Sequence, residues 1–121
     1  MRSALPALIA PLLSLMMGLV ALVFPETFAR QTGLAADGPL GRSELRAVFG
    51  GVFIGIGLAC VLLGSAAAHV VGAAAFLGGA AAKLLSAVLE RGVLPAALPG
   101  LLVDLVLGAL FVWGAAAVAP R

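Results

Sequence analysis

Four long apolar runs, interrupted by single glycines and prolines and separated by short polar stretches, set the pattern of this chain. They fall at about 4–24, 43–64, 67–90 and 96–119, and each is long enough to cross the ~30 Å hydrocarbon core of a bilayer as a helix. Arg2 ahead of the first run gives it the look of a secretion signal. Its apolar core, however, exceeds the roughly 7–15 residues of a signal, and no small-residue cleavage pattern follows promptly. It reads as an uncleaved first span. The pattern predicts an all-α, integral membrane four-helix bundle, a single domain over residues 1–121, with both termini on the same side of the membrane.

The one sizeable polar stretch, 25–42, carries its own punctuation. Pro25 and Glu26 suit the first turn of a helix, Arg30 its last turn and Gly33 its end, so a short surface helix with Phe28 and Leu34 dipping into the interface competes with an irregular loop. Asp37-Gly38-Pro39 reads as a turn, after which Ser43 would cap span two and Glu44 would occupy its first turn. At 100° per residue, Gly50 and Gly57 align with Arg46, whereas Gly51 and Gly55 align with Glu44 on nearly the opposite face. Small residues admit close helix contact in lipid. Span two is therefore expected at the centre of the bundle, held between two partners by these four glycines. On span four, Ala97, Gly100, Asp104 and Gly108 share one face, with Trp113 opposite as an interfacial anchor.

Composition fixes the solvent. Of 121 residues, 64% are hydrophobic and 10% charged, against about 25% charged in soluble domains, so the surface faces lipid. Seven basic and five acidic residues, scattered singly, leave a net charge of +2 and no basic run. Nucleic acid is excluded as a partner on that basis. Membrane lipids are the expected partners, with a homo-oligomer or a larger membrane complex beyond them. Cys60 is the only cysteine and His69 the only histidine, so neither a disulfide nor a metal site is expected, and no cofactor. Basic residues on the loop side (Arg30, Arg42, Arg91, with Arg46 and Lys83) outnumber Arg2 and Arg121 at the termini. That places the loops in the cytoplasm, and the composition suits a bacterial inner membrane.

Charges inside the spans are where a function could reside. The start of span two, the end of span three and the start of span four lie at one membrane face, which brings Glu44, Arg46, Lys83, Ser86 and Asp104 into one leaflet. An unpaired charge at the bilayer centre costs roughly 2.5–3.5 kcal/mol, so pairing of Arg46 with Asp104, and of Lys83 with Glu44 or Asp104, is expected. Such a cluster is either an ion-paired lock on three helices or a polar pocket for a small amphipathic or anionic ligand or a lipid head group. Ser86 has no histidine at its end of the bundle, and a nucleophile needs a base within reach. No catalytic residue is predicted, and the chain is not expected to be an enzyme.

The order Pro25-Glu26, Ser43-Glu44-Leu45-Arg46-Ala47-Val48-Phe49-Gly50-Gly51, Lys83-Leu84-Leu85-Ser86 and then Asp104 resembles a bacterial family of small four-span membrane proteins catalogued as domain of unknown function 4345. The resemblance covers most of the chain and implies a four-helix membrane bundle, with no established activity. It favours Arg at Lys83, Glu at Asp104 and an aromatic hydroxyl at Phe49. Three functions follow from these features: an accessory or structural membrane subunit held by the ion pairs, a binder of an amphipathic or anionic ligand, and a small dimeric transporter. Span one carries no coupling carboxylate, which weakens the third.

Overall fold

The computed structural model describes residues 4–35 and 37–119. Among them the ordered elements are all helical: α1 (Ala4–Val23), α2 (Pro25–Thr32), α3 (Gly38–Leu45), a π-helical turn (Arg46–Gly51), α4 (Val52–Leu63), α5 (Ala66–Leu89) and α6 (Leu94–Val118). The segment from α3 to α4 runs on as one helix, Gly38–Leu63, so four helices are long and apolar enough to cross a membrane. The protein is an all-α four-helix bundle with the character of a multi-pass membrane protein. Arg2 and Arg121, on which the orientation estimate partly rests, lie outside the described residues.

Punctuation accounts for most of the boundaries. The segment 25–42 resolves into a helix followed by a turn, with Pro25 in the first turn of α2 and Gly33 left-handed at φ 76° at its end. The Gly33 and Leu34 N–H groups both close on the Ala29 carbonyl, the latter at 2.8 Å, which ends the helix in a left-handed turn. Gly64, left-handed at φ 59°, ends α4, and the Ser65 hydroxyl accepts the Ala68 N–H to open α5. That turn is tighter than expected. Span two begins earlier than Ser43: Asp37 is extended and Pro39 occupies the first turn, where its missing N–H costs nothing. Ser43 and Glu44 consequently sit inside the helix instead of capping it.

Helix neighbours differ from the expected arrangement. It is α1 that stands between partners, packed on α4 and the π turn at one side and on α6 at the other, while α5 pairs chiefly with α6. Span two has one close neighbour. A Cβ at Gly57 would stand 2.6 Å from the Pro11 carbonyl and the Leu15 side chain, and one at Gly50 would stand 3.3 Å from the Leu22 backbone. These two glycines seat span two on α1, as their shared face with Arg46 implied. Gly51 and Gly55 do not pack. A Cβ at Gly55 would meet nothing within 4 Å, and one at Gly51 only its own helix's Arg46 carbonyl at 3.8 Å; span two meets α1 and, more lightly, α5 on other faces, and both glycines are exposed. Gly57→Ala is therefore expected to destabilise the bundle by about 1–3 kcal/mol through forced separation of the helices, and Gly55→Ala to be nearly neutral; unfolding in mixed micelles compares them.

Two polar contacts cross the apolar interior. The fully buried Ser14 hydroxyl donates to the Phe53 carbonyl at 2.8 Å, joining α1 to α4. His69, 1% exposed, sits with Nε2 2.9 Å from the Ala7 carbonyl and Nδ1 3.0 Å from the Ser65 carbonyl. Pro11, inside α1, has no N–H to give to the carbonyl four residues back, which is that of Ala7. The Ser65 carbonyl already accepts the His69 backbone N–H, so the tautomer with its proton on Nε2 is the one that supplies the missing donor to Ala7. A lipid interior leaves such a carbonyl no water to turn to, so the histidine does structural work here.

Aromatic rings run through the core as a chain. Phe28 meets Phe49 at 5.0 Å between centroids, Phe49 meets Phe53 at 5.7 Å, and Phe53 meets Phe76 at 4.9 Å. Phe76 stacks on Phe111 at 5.6 Å, and Phe111 faces His69 at 6.2 Å. Each contact contributes about 0.5–1.5 kcal/mol beyond area burial. The series ties α2, at the loop side, to the opposite end of α5.

Candidate ligand pocket

The site is built on an ion pair between α5 and α6. The Lys83 ammonium donates to an Asp104 carboxylate oxygen, the one salt bridge among the described residues. Asp104 is 8% exposed, and glycines on the facing helices make the room. A Cβ at Gly79 would come within 3.0 Å of the Asp104 carboxylate, and one at Gly100 within 3.2 Å of the Lys83 stem. The pairing offsets the cost of holding each charge at membrane depth. An ammonium has three donors, and the carboxylate takes one of them.

Beside the pair lies a cavity of about 450 Å³. Its α1 wall is Leu13, Met16, Met17 and Val20; Phe49 of the π turn and Phe53 of α4 form a second wall. α2 closes the loop-side end with Phe28, Gln31 and Thr32, and α6 contributes Pro99, Gly100 and Val103 next to Asp104. The volume lies in the ordinary range for small-molecule pockets, roughly 300–1,000 Å³, and the lining has their usual make-up of apolar walls with a few polar groups. Thr32 has its hydroxyl committed to the Phe28 and Ala29 carbonyls at 2.9 and 3.2 Å, which leaves its oxygen as an acceptor.

Of the five residues expected to converge, Lys83 and Asp104 meet and line the cavity, while the other three are elsewhere. The Arg46 guanidinium Nε donates to the Leu22 carbonyl at 3.1 Å, at the end of α1 where a helix dipole favours a cation. It does not reach Asp104, because the π turn packs on α1 and not on α6. Glu44 is exposed and forms no ion pair among the described residues. The Ser86 hydroxyl donates to the Glu90 carboxylate at 3.4 Å, one turn along its own helix. Among the described residues no three His, Cys, Asp or Glu side chains come together as metal ligands.

The π turn shapes the cavity. Across it the Val52 N–H reaches back to the Ala47 carbonyl, five residues away, which inserts one residue into the helical register just where Phe49 enters the pocket. Turns of this kind recur where a helix must re-aim a side chain. Sequence reasoning did not single out Phe49 as a wall, nor Met16, Met17 and Gln31. The paired methionines of span one were the available signal, since flexible thioethers line adaptable apolar sites.

Comparison with protein-family models, with curated proteins and with solved structures found no match.

Proposed function

We propose that this chain is a small multi-pass protein of a bacterial inner membrane that takes a small amphipathic molecule into the cavity beside Lys83 and Asp104. One observation carries the reading: an apolar cavity at membrane depth has a single ion pair in its wall, with an ammonium donor to spare. A purely structural pair gains nothing from such a space. The test places a tryptophan at the wall, Phe49→Trp in a Trp113→Phe background, and titrates it with a terminally brominated hexanol as quencher. Saturable quenching is expected, weakened about tenfold in the Lys83→Met/Asp104→Leu double variant. Quenching that rises linearly and alike in both proteins, as from bulk bilayer, overturns the reading.

A second reading, an accessory or structural subunit, is supported by the outward face of span two. Gly51 and Gly55 there leave a smooth strip against which a neighbouring helix can lie closely. Gly55→Leu would then abolish cross-linked dimers or co-extracted partners and leave the pocket's quenching curve unchanged.

A further inference from the structure

We infer that the occupant is a single-tailed, long-chain lipid with a neutral, oxygen-bearing head, and that its tail leaves the cavity sideways along a groove between α1 and α6. The inference rests on the pocket reading above and specifies its ligand. A second cavity of about 310 Å³ lies against α1 and α6, lined by Leu102, Val106 and Leu107 together with Leu13, Met17 and Val103. Those last three residues also line the first cavity. The two spaces therefore adjoin at a shared wall and have chemically different linings. Lys83, Asp104, Gln31 and Thr32 stand at one end, and the other end is lined by apolar side chains alone.

The line from the cavity to the groove matches the direction of a lipid in its leaflet. α6 enters the membrane from the loop side, so the stretch from Pro99 to Leu107 runs inward for roughly 12 Å at 1.5 Å per residue. α1 runs the opposite way, and its stretch from Val20 back to Leu13 lines the same path. The polar end is thus nearer the loop face and the apolar end nearer the midplane of the ~30 Å hydrocarbon layer. A rigid compact ligand would have no use for the groove, whereas a hydrocarbon tail fills it. One exit between two helices admits one chain.

Charge bookkeeping at the polar end selects the head. Lys83 and Asp104 neutralise each other, so a carboxylate or phosphate head would leave one uncompensated anion beside a buried carboxylate, in a medium that hydrates it poorly. An uncharged oxygen accepts a spare Lys83 N–H without that cost. Gln31 can donate and accept at the mouth and the Thr32 oxygen can accept, which favours a hydroxyl-bearing head over a bare carbonyl.

Two reporters distinguish this proposal from the pocket reading: tryptophan at Phe49 marks the cavity and tryptophan at Val106 marks the groove, each in the Trp113→Phe background. The probes are terminally brominated hexanol, terminally brominated dodecanol and brominated dodecanoic acid, in nanodiscs. Saturable quenching of the Phe49→Trp reporter by the short alcohol, and preferential, saturable quenching of the Val106→Trp reporter by the long one, is the expected result. The acid should need at least a tenfold higher concentration at neutral pH. Combining Lys83→Met and Asp104→Leu with the Val106→Trp reporter should turn saturation into the linear quenching of bulk lipid. If the short alcohol saturates the cavity but the long one never favours the groove, the tail path is wrong and the pocket stands. If the acid binds as well as the alcohol, the neutral head is wrong. If nothing saturates either reporter, both readings fall together.

Discussion

Lys83→Met is expected to destabilise the bundle by about 3 kcal/mol, whereas Asp104→Leu should cost about 1 kcal/mol, and the double variant should recover most of the larger loss. Removing the lysine leaves Asp104, whose side chain is 11% exposed, without its partner, and an abandoned buried charge is strongly destabilising, by roughly 3–5 kcal/mol where burial is complete. The lysine is in a different position. Its side chain is 37% exposed and long enough to carry its ammonium toward the head groups when Asp104 is gone. In the double variant neither charge remains, and an apolar pair of similar volume suits the surroundings. Unfolding free energies in mixed micelles at fixed detergent composition give all three numbers. Equal losses for the two single variants would mean that both charges are free to relax, and that the pair does not fix α5 against α6.

A second expected result concerns His69 and Pro11. His69→Ala should cost about 2–3 kcal/mol in the native background and about 1 kcal/mol less when Pro11→Ala is already present. Alanine at position 11 returns an N–H to the Ala7 carbonyl, so the histidine's donor is no longer needed there. The packing lost against Phe111 and Gly114 is common to both backgrounds and cancels in the cycle. The remaining coupling measures the Nε2–H bond to Ala7, and interhelical hydrogen bonds in membranes average about 0.6 kcal/mol with a maximum near 1.7. This carbonyl should fall at the upper end, because its ordinary donor is missing. A coupling near zero would mean that the Ala7 carbonyl is satisfied without His69.

How much could be read from the sequence divides along a physical line. Features set within one helix or turn were legible: the four spans from apolar run length, the end of α2 from Gly33, the alignment of Gly50 and Gly57 with Arg46. Features that depend on which helix is whose neighbour were not. Gly51 and Gly55 look like packing residues on a helical wheel, yet only the observed order of helices, with α1 between α4 and α6, shows that they face outward. The same order separates Arg46 from Asp104. Lys83 and Asp104 did find each other, since consecutive antiparallel spans joined by a short turn are bound to pair. The π turn defeats any fixed angle per residue, so Phe49 as a pocket wall could not be placed. Pro11 was a signal left unused: a proline inside a span orphans one carbonyl, and the lone histidine was the obvious donor.

Occupancy of the cavity beside Lys83 and Asp104 in the membrane is tested most directly by native mass spectrometry of the gently extracted protein. Wild-type protein should carry one adduct of defined mass, retained in Arg46→Ala, whose side chain lies outside the cavity, and absent from Val103→Trp, which adds an indole at the wall of the cavity and keeps both charged residues. Wild-type protein free of any discrete adduct, or a Val103→Trp variant that keeps it, would contradict occupancy and leave the ion pair as a structural lock alone.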